Sequence, residues 1–545
     1  MDDLLGRARA WAAQDPDPLT RDALTRLVAD AAAGGSLDAL ADAFSQRLAF
    51  GTAGLRGAVG PGPNRMNLVT VMQAAAGLAA YLIERGGGAV VIGYDARHRS
   101  EDFARACAQV LTGAGLSAMV LPHPTPTPVL AYAIRPLGCA AGVMITASHN
   151  PPQDNGMKVY LADGVQITSP TDAEISAQID RVASGPIADI AVGSEWETLD
   201  DTIIDRYVDH VAGLAAAPPP HPVPIVYTPM HGVGGEVLEA VLERAGYPDP
   251  LRVEAQFEPD PDFPTVAFPN PEEPGAMDLA LDTARVRGAE LVIANDPDAD
   301  RCAVGVPSGA GWRMLTGDEV GSLLGWWLIE RGVTVGVYAE SIVSSSMLHG
   351  IATSAGLAYQ ETLTGFKWIG RIPALAFGYE EALGYCVDPR VVSDKDGISA
   401  ALLIVEMASA LKAKGRTLLD ALADLERAHG VHATSQVSIR VTDLGRIATI
   451  MAHLRGAPPD AIGGQTVLRM DDLLAPTDAL PPTDGLRFIV EGGIRIIIRP
   501  SGTEPKLKCY LQVVVPVEHG DLDAAHAVAE ERMSQMRTAV AAWFA

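Results

Sequence analysis

Ser148 sits in the stretch TASHNPPQDNGMKVY (146–160), directly after the apolar run GCAAGVMI, which reads as a buried strand. A serine where a strand gives way to a loop lies where α/β sheets bind ligands, beyond the carboxyl ends of the strands. Taken alone, the stretch is equally explained by turn chemistry, with Ser148 and Asn150 as turn formers and Pro151 and Pro152 as stops. Asp296, Asp298 and Asp300 alternate in NDPDADR, after the strand-like LVIA. In an extended segment such alternation turns three carboxylates the same way, and their hard oxygens suit Mg²⁺, Mn²⁺ or Ca²⁺ better than zinc. A solvated acidic turn is the plain alternative, but three acids this close repel one another strongly without a cation. An EF-hand fits poorly, because Arg301 and Pro307 stand at its glycine and terminal glutamate positions. A phosphorylated-aspartate loop is a further competitor, but such loops have threonine or valine where Asp300 stands.

RPSGTEPKLKCY offers another kind of site. Arg499, Ser501, Gly502 and Thr503 follow the strand-like IRIII, and a guanidinium fork, two hydroxyls and exposed backbone N–H groups suit a phosphate dianion. A hairpin turn with Gly502 at positive φ is the alternative. Glu380 and Glu381 in GYEEALGY (378–385) could accept hydrogen bonds from sugar hydroxyls, although surface glutamate pairs are commonly only solvated. FGTAGLRG (50–57) and GYDARHRS (93–100) place Arg56, Arg97 and Arg99 in glycine-rich loops, where structural ion pairs are as good an explanation. His149 adjoins Ser148 outside any GxSxG elbow, so no hydrolase triad is supported. A serine, an acid trio, an arginine-rich phosphate loop and paired glutamates are together the parts that phosphoryl transfer through serine requires.

These side chains need elements to hold them. VTVMQAAAGLAAYLIERGG has helical periodicity, AVVIGYD is a short buried strand, SEDFARACAQVLTGAG is helical and SAMVLP is a strand. Strand and helix patterns alternate again from VPIVYTPMHGVGGEVLEAVLERAGY and from WWLIERGVTVGVYAES, implying three α/β domains built from βαβ units. Near residue 440 the pattern turns β-rich and then closes on a helix, implying a smaller α+β domain. GLAAAPPPHPVP (213–224) reads as a linker and APPDAIGG (457–464) as an internal loop. With 545 residues, 48% hydrophobic and 20% charged, the chain is globular and multidomain. A net charge of −26 argues against a nucleic-acid partner, while local cations could still hold a small anion. Five scattered cysteines without CxxC spacing argue against a disulfide framework or zinc and for a reducing, cytoplasmic setting. No signal peptide or membrane span is expected.

In their order along the chain, FGTAGLRG, TASHNPPQDNGMKVY, DPDADR, GYEEALGY and RPSGTEPK resemble the α-D-phosphohexomutase superfamily of phosphoglucomutases and phosphomannomutases, over nearly the full length. The resemblance implies three consecutive α/β domains of similar plan with mixed sheets, plus a C-terminal α+β domain, arranged around a central cleft. Their expected bounds are 1–215, 216–325, 326–438 and 439–545. It further implies that Ser148 carries phosphate and, with Asp296, Asp298 and Asp300, binds one Mg²⁺. Arg301 would sit beside that phosphate. Lys158 and Arg56 would assist proton transfer at the sugar hydroxyl, His149 would help nearby, and Lys395 in DKDG would touch substrate. Glu380, with Glu381 beside it, would bind sugar hydroxyls, and Arg499, Ser501, Gly502 and Thr503 would grip the non-reacting phosphate. The implied reaction interconverts hexose 1-phosphate and hexose 6-phosphate through a sugar 1,6-bisphosphate, which also serves as activator. The expected partners are small sugar phosphates, with no nucleic acid or membrane, and the expected state is monomer or dimer. One departure is that many relatives read GEES in the sugar loop, whereas Ala382 replaces the serine here. With TPMHGVGG and PDFPTVAFPNPEEP, this resembles the phosphoglucomutase-2 and phosphopentomutase branch, so a phosphopentomutase is an alternative. A sugar-phosphate-binding protein without turnover is another.

Overall fold

A computed structural model of the chain describes residues 2–50, 54–309, 311–440, 444–475, 480–500 and 506–544. These residues form two compact units, Met1–Met314 with Asp388–Ser409, and Leu315–Val387 with Ala410–Ala545.

The first unit opens with the helices Asp2–Gln14, Pro18–Ala32 and Asp38–Ala43. Asp17 caps the second through its side chain and Pro18 supplies its first turn, as helix starts favour. Leu5, Ala8, Leu24, Val28, Leu40 and Phe44 give this segment a small core of its own.

A six-stranded sheet follows, in the spatial order Leu55–Ala58, Asp154–Leu161, Ala141–Ile145, Ala89–Tyr94, Ser117–Val120 and Glu197–Thr198. The inner strands are parallel, while Asp154–Leu161 runs antiparallel to both its neighbours. Antiparallel return explains why the strand after the serine loop needs no crossover helix. Ala141–Ile145 is buried along its whole length, as the apolar run GCAAGVMI requires of a central strand. Helices Leu68–Ile83, Ser100–Gly113 and Thr171–Ala183 contribute Leu78, Phe103 and Ile175 to the same core.

The second sheet of this unit has the order Gly311–Met314, Ala303–Ser308, Leu291–Ala294, Ile225–Thr228, Leu251–Arg252. Residues 213–224 join the two sheets, between helix Thr202–Ala212 and strand Ile225–Thr228.

In the second unit, strands Ala358–Thr362, Val337–Ser341, Leu375–Glu380 and Gly384–Cys386 form a mixed four-stranded sheet. A fully antiparallel sheet is built from Val431–Arg440, Lys506–Val515, Ile494–Pro500, Leu486–Val490, Gln465–Asp472 and Ala461–Ile462. Helix Leu522–Ala541 lays Ala525, Ala529, Met533, Met536 and Val540 on it, a helical stripe facing one side. Arg495 ties the two sheets by donating to Glu361 (3.0 Å), Gln512 (2.6 Å) and the Ser344 carbonyl.

All five cysteines are buried free thiols. No helix among the described residues is long and apolar enough to cross a membrane.

Candidate active site

Ser148 follows the buried strand Ala141–Ile145 by three residues and adopts a left-handed backbone, φ 52°. For a residue other than glycine this costs on the order of 1–3 kcal/mol and is kept where surroundings over-determine it. Here the Ser148 N–H donates to Thr146 Oγ1 (2.8 Å), and the Arg97 guanidinium takes its carbonyl (2.5 Å). The hydroxyl thereby faces the acid loop, donating to Asp296 Oδ2 at 2.8 Å with His149 Nδ1 at 3.1 Å.

Asp296, Asp298 and Asp300 are buried, none more than 1% exposed. Among the described residues they form the one group of three acids, histidines or cysteines whose ligand atoms all lie within 4.8 Å of one another. The expected extended alternation is not how they converge. Residues 297 and 298 form a turn closed by Ala299 N–H on the Asp296 carbonyl (2.8 Å), with Ala299 at φ 56°. The turn rests on Gly232 of TPMHGVGG, where an added Cβ would lie 2.3 Å from Pro297 Cα. Val233 N–H also donates to the Pro297 carbonyl (2.9 Å). That contact gives TPMHGVGG its place beside the site.

Cations surround the trio. Lys158, on the strand Asp154–Leu161, donates from Nζ to Asp298 Oδ2 (2.6 Å) and Asp300 Oδ2 (2.8 Å). Lys395 Nζ lies 3.3 Å from Asp300, and Arg301 Nε lies 3.8 Å from Asp296. Burial disfavours the Lys158 ammonium, but Asp298 and Asp300 outweigh it and raise its pKa above the ordinary value. Burial, then Asp298 and Asp300, push the Asp296 carboxyl well up. Burial acts the same way on Asp300, yet Lys158, Lys395 and Arg301 hold it far below the carboxylate range. His149 is held neutral, its pKa pulled well down by burial and by Arg301 and Arg56.

Asp298 Oδ1 and Asp300 Oδ1 are buried with no hydrogen-bond partner. Orphaned buried carboxylate oxygens are costly, and a hard divalent cation satisfies them directly. The trio therefore fits a metal of the Mg²⁺ type.

The structure gathers Ser148, His149, Lys158, Arg56, Arg301, Lys395 and the aspartates in the first unit. Arg56 donates to Asn150 Oδ1 (3.3 Å), on the serine loop. Lys395 is set by the acids on either side of it. Asp394 accepts from Tyr160 (2.9 Å) and Gln166 (3.0 Å), while Asp396 accepts from Tyr207 (2.8 Å) and caps helix Gly397–Lys412 through the Ile398 and Ser399 N–H groups. Gly397 N–H reaches the Ala299 carbonyl (3.2 Å), an approach that needs glycine because a Cβ would lie 2.2 Å from the Arg301 carbonyl.

The remaining expected residues belong to the second unit. Glu380 ends strand Leu375–Glu380 and accepts the Gly365 N–H at 2.6 Å. Glu381 accepts from Ser341 (3.1 Å) and Ser344 (3.4 Å). Arg499 lies on strand Ile494–Pro500, opposite Lys508 and near the Tyr510 side chain. Ser501, Gly502 and Thr503 lie outside the described residues.

Thr127 was not legible as a site residue. Its Oγ1 donates to Asp298 Oδ2 (2.6 Å) and its N–H to the Asp298 carbonyl (2.9 Å), so the start of helix Thr127–Ile134 grips a candidate ligand. TPTPVL carries only a helix-start signal, with nothing to announce a partner 171 residues away. Phe268 and Glu272 of PDFPTVAFPNPEEP also reach the site, the ring 6.1 Å from that of His149 and the carboxylate 3.5 Å from Arg301.

Four family models match in chain order. They are phosphoglucomutase/phosphomannomutase alpha/beta/alpha domain I at residues 47–185, domain II at 205–309, domain III at 316–428 and the C-terminal domain at 437–532. The chain is 49% identical over 454 residues to the "Probable phosphomannomutase" of Haemophilus influenzae, covering 82% of this chain and 92% of that one. It is 35% identical over 574 residues to the phosphopentomutase of Mus musculus (94% and 90% covered) and 36% identical over 504 residues to the phosphoglucomutase of Staphylococcus haemolyticus (87% and 91%). The fold matches the solved phosphoglucomutase parafusin of Paramecium, in its open form, with a TM-score of 0.67 at 18% identity over 90% of this chain and 95% of that one. The resemblance carried by the five motifs is thus borne out, as are the fold class and the phosphomutase class of enzyme: the chain belongs to the phosphoglucomutase/phosphomannomutase family.

Proposed function

We propose that the protein interconverts hexose 1-phosphate and hexose 6-phosphate, glucose or mannose, through a phosphorylated Ser148 and a sugar 1,6-bisphosphate. The observation that carries this reading is the Ser148 hydroxyl bonded to Asp296 (2.8 Å) inside a buried trio that still has two unpartnered carboxylate oxygens. Asp296, Asp298 and Asp300, with an oxygen on Ser148, would hold one Mg²⁺. When bound, it would neutralise charge on the phosphoryl oxygens.

The chain's own groups do the rest. Arg301 faces the phosphoryl group on Ser148, its buried Nε paired with Asp296 at 3.8 Å but without a hydrogen bond. Lys158 and Arg56 assist the proton at the sugar hydroxyl, with neutral His149 beside them. Lys395, whose Nζ shares Asp300 Oδ2 with Lys158, touches substrate. Glu380 and Glu381 hold sugar hydroxyls, and Arg499 with Ser501, Gly502 and Thr503 holds the other phosphate. Turnover requires the bisphosphate to present each phosphate to Ser148 in turn, so hydrolysis must be suppressed by excluding water meanwhile. A setting in the cytoplasm suits free thiols and a soluble sugar phosphate.

Ala382 favours a second reading, because one hydroxyl contact is missing where many hexose enzymes have serine. A phosphopentomutase acting on ribose or deoxyribose 1-phosphate then follows, as the Mus musculus relative's name suggests. The test is kcat/KM for glucose 1-phosphate, mannose 1-phosphate and ribose 1-phosphate, each with its bisphosphate. A hexose preference is expected. A ribose preference of about a hundredfold, roughly 2.7 kcal/mol, would replace the hexose reading.

A further inference from the structure

Arg97 has no part in the chemistry above, yet its guanidinium is the hub of the serine loop. The residue is 4% exposed. Nη2 donates to the carbonyls of Ser148 (2.5 Å) and Asn150 (2.5 Å), and Nη1 to those of Pro151 (2.9 Å) and Asp154 (3.2 Å). Behind it, Asp95 stands 3.4 Å from Nε and is itself fixed by Ser100 Oγ (2.6 Å). The Phe263 ring covers the guanidinium at 4.9 Å. Ser100 Oγ also accepts from Asn155 Nδ2 (3.0 Å), so the loop's far end is tied to the same network.

Four carbonyls converging on one cation do not arise from turn propensity, since carbonyl dipoles aimed at one point repel. Only a planar donor with two forked NH₂ groups satisfies them together, and a lysine ammonium with three donors cannot. The loop's path, including the left-handed Ser148, is therefore written around Arg97.

We propose that Arg97 is a positioning residue for phosphoryl transfer: it holds Ser148 in its left-handed conformation, with Oγ directed at Asp296. The proposal rests on the phosphoryl-transfer reading of this site. The step it serves forms the Ser148 Oγ–phosphorus bond and breaks the bond from phosphorus to the sugar oxygen, and the hydroxyl proton ends on the released sugar alcohol. Because the guanidinium is committed to the loop, its loss alters the rate of this step and leaves sugar-phosphate binding alone. A displacement near 1 Å is enough to slow such a step about a hundredfold.

The experiment follows phosphate uptake on Ser148 from glucose 1,6-bisphosphate by mass spectrometry, in wild type, Arg97→Lys and Arg97→Ala. Amide hydrogen exchange of residues 148–155 and circular dichroism are measured on the same proteins. The expected result is folded variants that charge about a hundredfold more slowly, with unchanged KM for the bisphosphate and faster exchange confined to the loop. Added guanidinium ion should restore part of the rate in Arg97→Ala. Should Arg97→Ala fail to fold, Arg97→Lys decides through its rate and its loop exchange. Variants charging at the wild-type rate, or a slow variant with wild-type loop exchange, would overturn the proposal. Wild type that takes up no phosphate would instead sink the phosphoryl-transfer reading, and this proposal with it.

Discussion

Asp298 shows how one carboxylate can be asked to do several things at once. Its Oδ2 accepts from Thr127 and Lys158, both at 2.6 Å, which leaves Oδ1 as its free lone-pair site. Asp298→Asn keeps an acceptor for Thr127 but removes the charge that a cation needs. Activity should fall about a thousandfold, the scale of losing one preorganised electrostatic group, while the melting temperature in EDTA stays close to wild type. Near-normal turnover would contradict a metal role for the trio. Thr127→Val tests the support behind that ligand. The half-saturating Mg²⁺ concentration, read both from activity and from Mg²⁺-induced thermal stabilisation, should rise about ten- to a hundredfold, as outer partners of ligands typically require. Thr127→Ser should restore it. The aspartates and Ser148 were legible because each motif carries its chemistry within a few residues. Thr127 was not, and Arg97 stood out only as a loop arginine with a structural ion pair as an equal explanation, because their meaning lies in partners 171 and 51 residues away.

At the scale of elements, the sequence announced strands by apolar runs and helices by periodicity, and the serine and acid loops emerged at strand ends as expected. It did not announce the antiparallel return of Asp154–Leu161, which brings Lys158 beside the trio. Nor did alternation foretell a turn at Ala299, since that path is held by contacts from Thr127, Gly232, Val233 and Gly397, distant in sequence. Gly232→Ala isolates this packing. The new Cβ would meet Pro297 backbone atoms at 2.3–2.7 Å, and backbone cannot rotate aside as a side chain can. A loss of about 1–3 kcal/mol in urea stability is expected, together with weaker Mg²⁺ binding because the metal loop is what moves. Unchanged metal affinity with lowered stability would separate the glycine from the site.

The molecule as a whole divides in a way the motif order hides. Asp388–Ser409, which lies in sequence between parts of the second unit, packs with the first and carries Lys395 to Asp300. Long-range exchange of this kind leaves no trace in composition or periodicity. It predicts unfolding that departs from a single two-state transition. Mg²⁺ should raise the transition of the first unit, by about 2.7 kcal/mol at a hundred times its dissociation constant, and leave that of the second where it was. Following tryptophan fluorescence and far-ultraviolet circular dichroism across a urea series checks this. Coincident curves that shift together with Mg²⁺ would contradict it. The central claim, that Ser148 carries the phosphoryl group, is met most directly by intact mass and peptide mapping after incubation with glucose 1,6-bisphosphate and Mg²⁺. One phosphate on Ser148 in wild type, and neither phosphate nor mutase activity in Ser148→Ala, is the predicted result. Mutase activity surviving in Ser148→Ala, or phosphate settling on another residue, would contradict it.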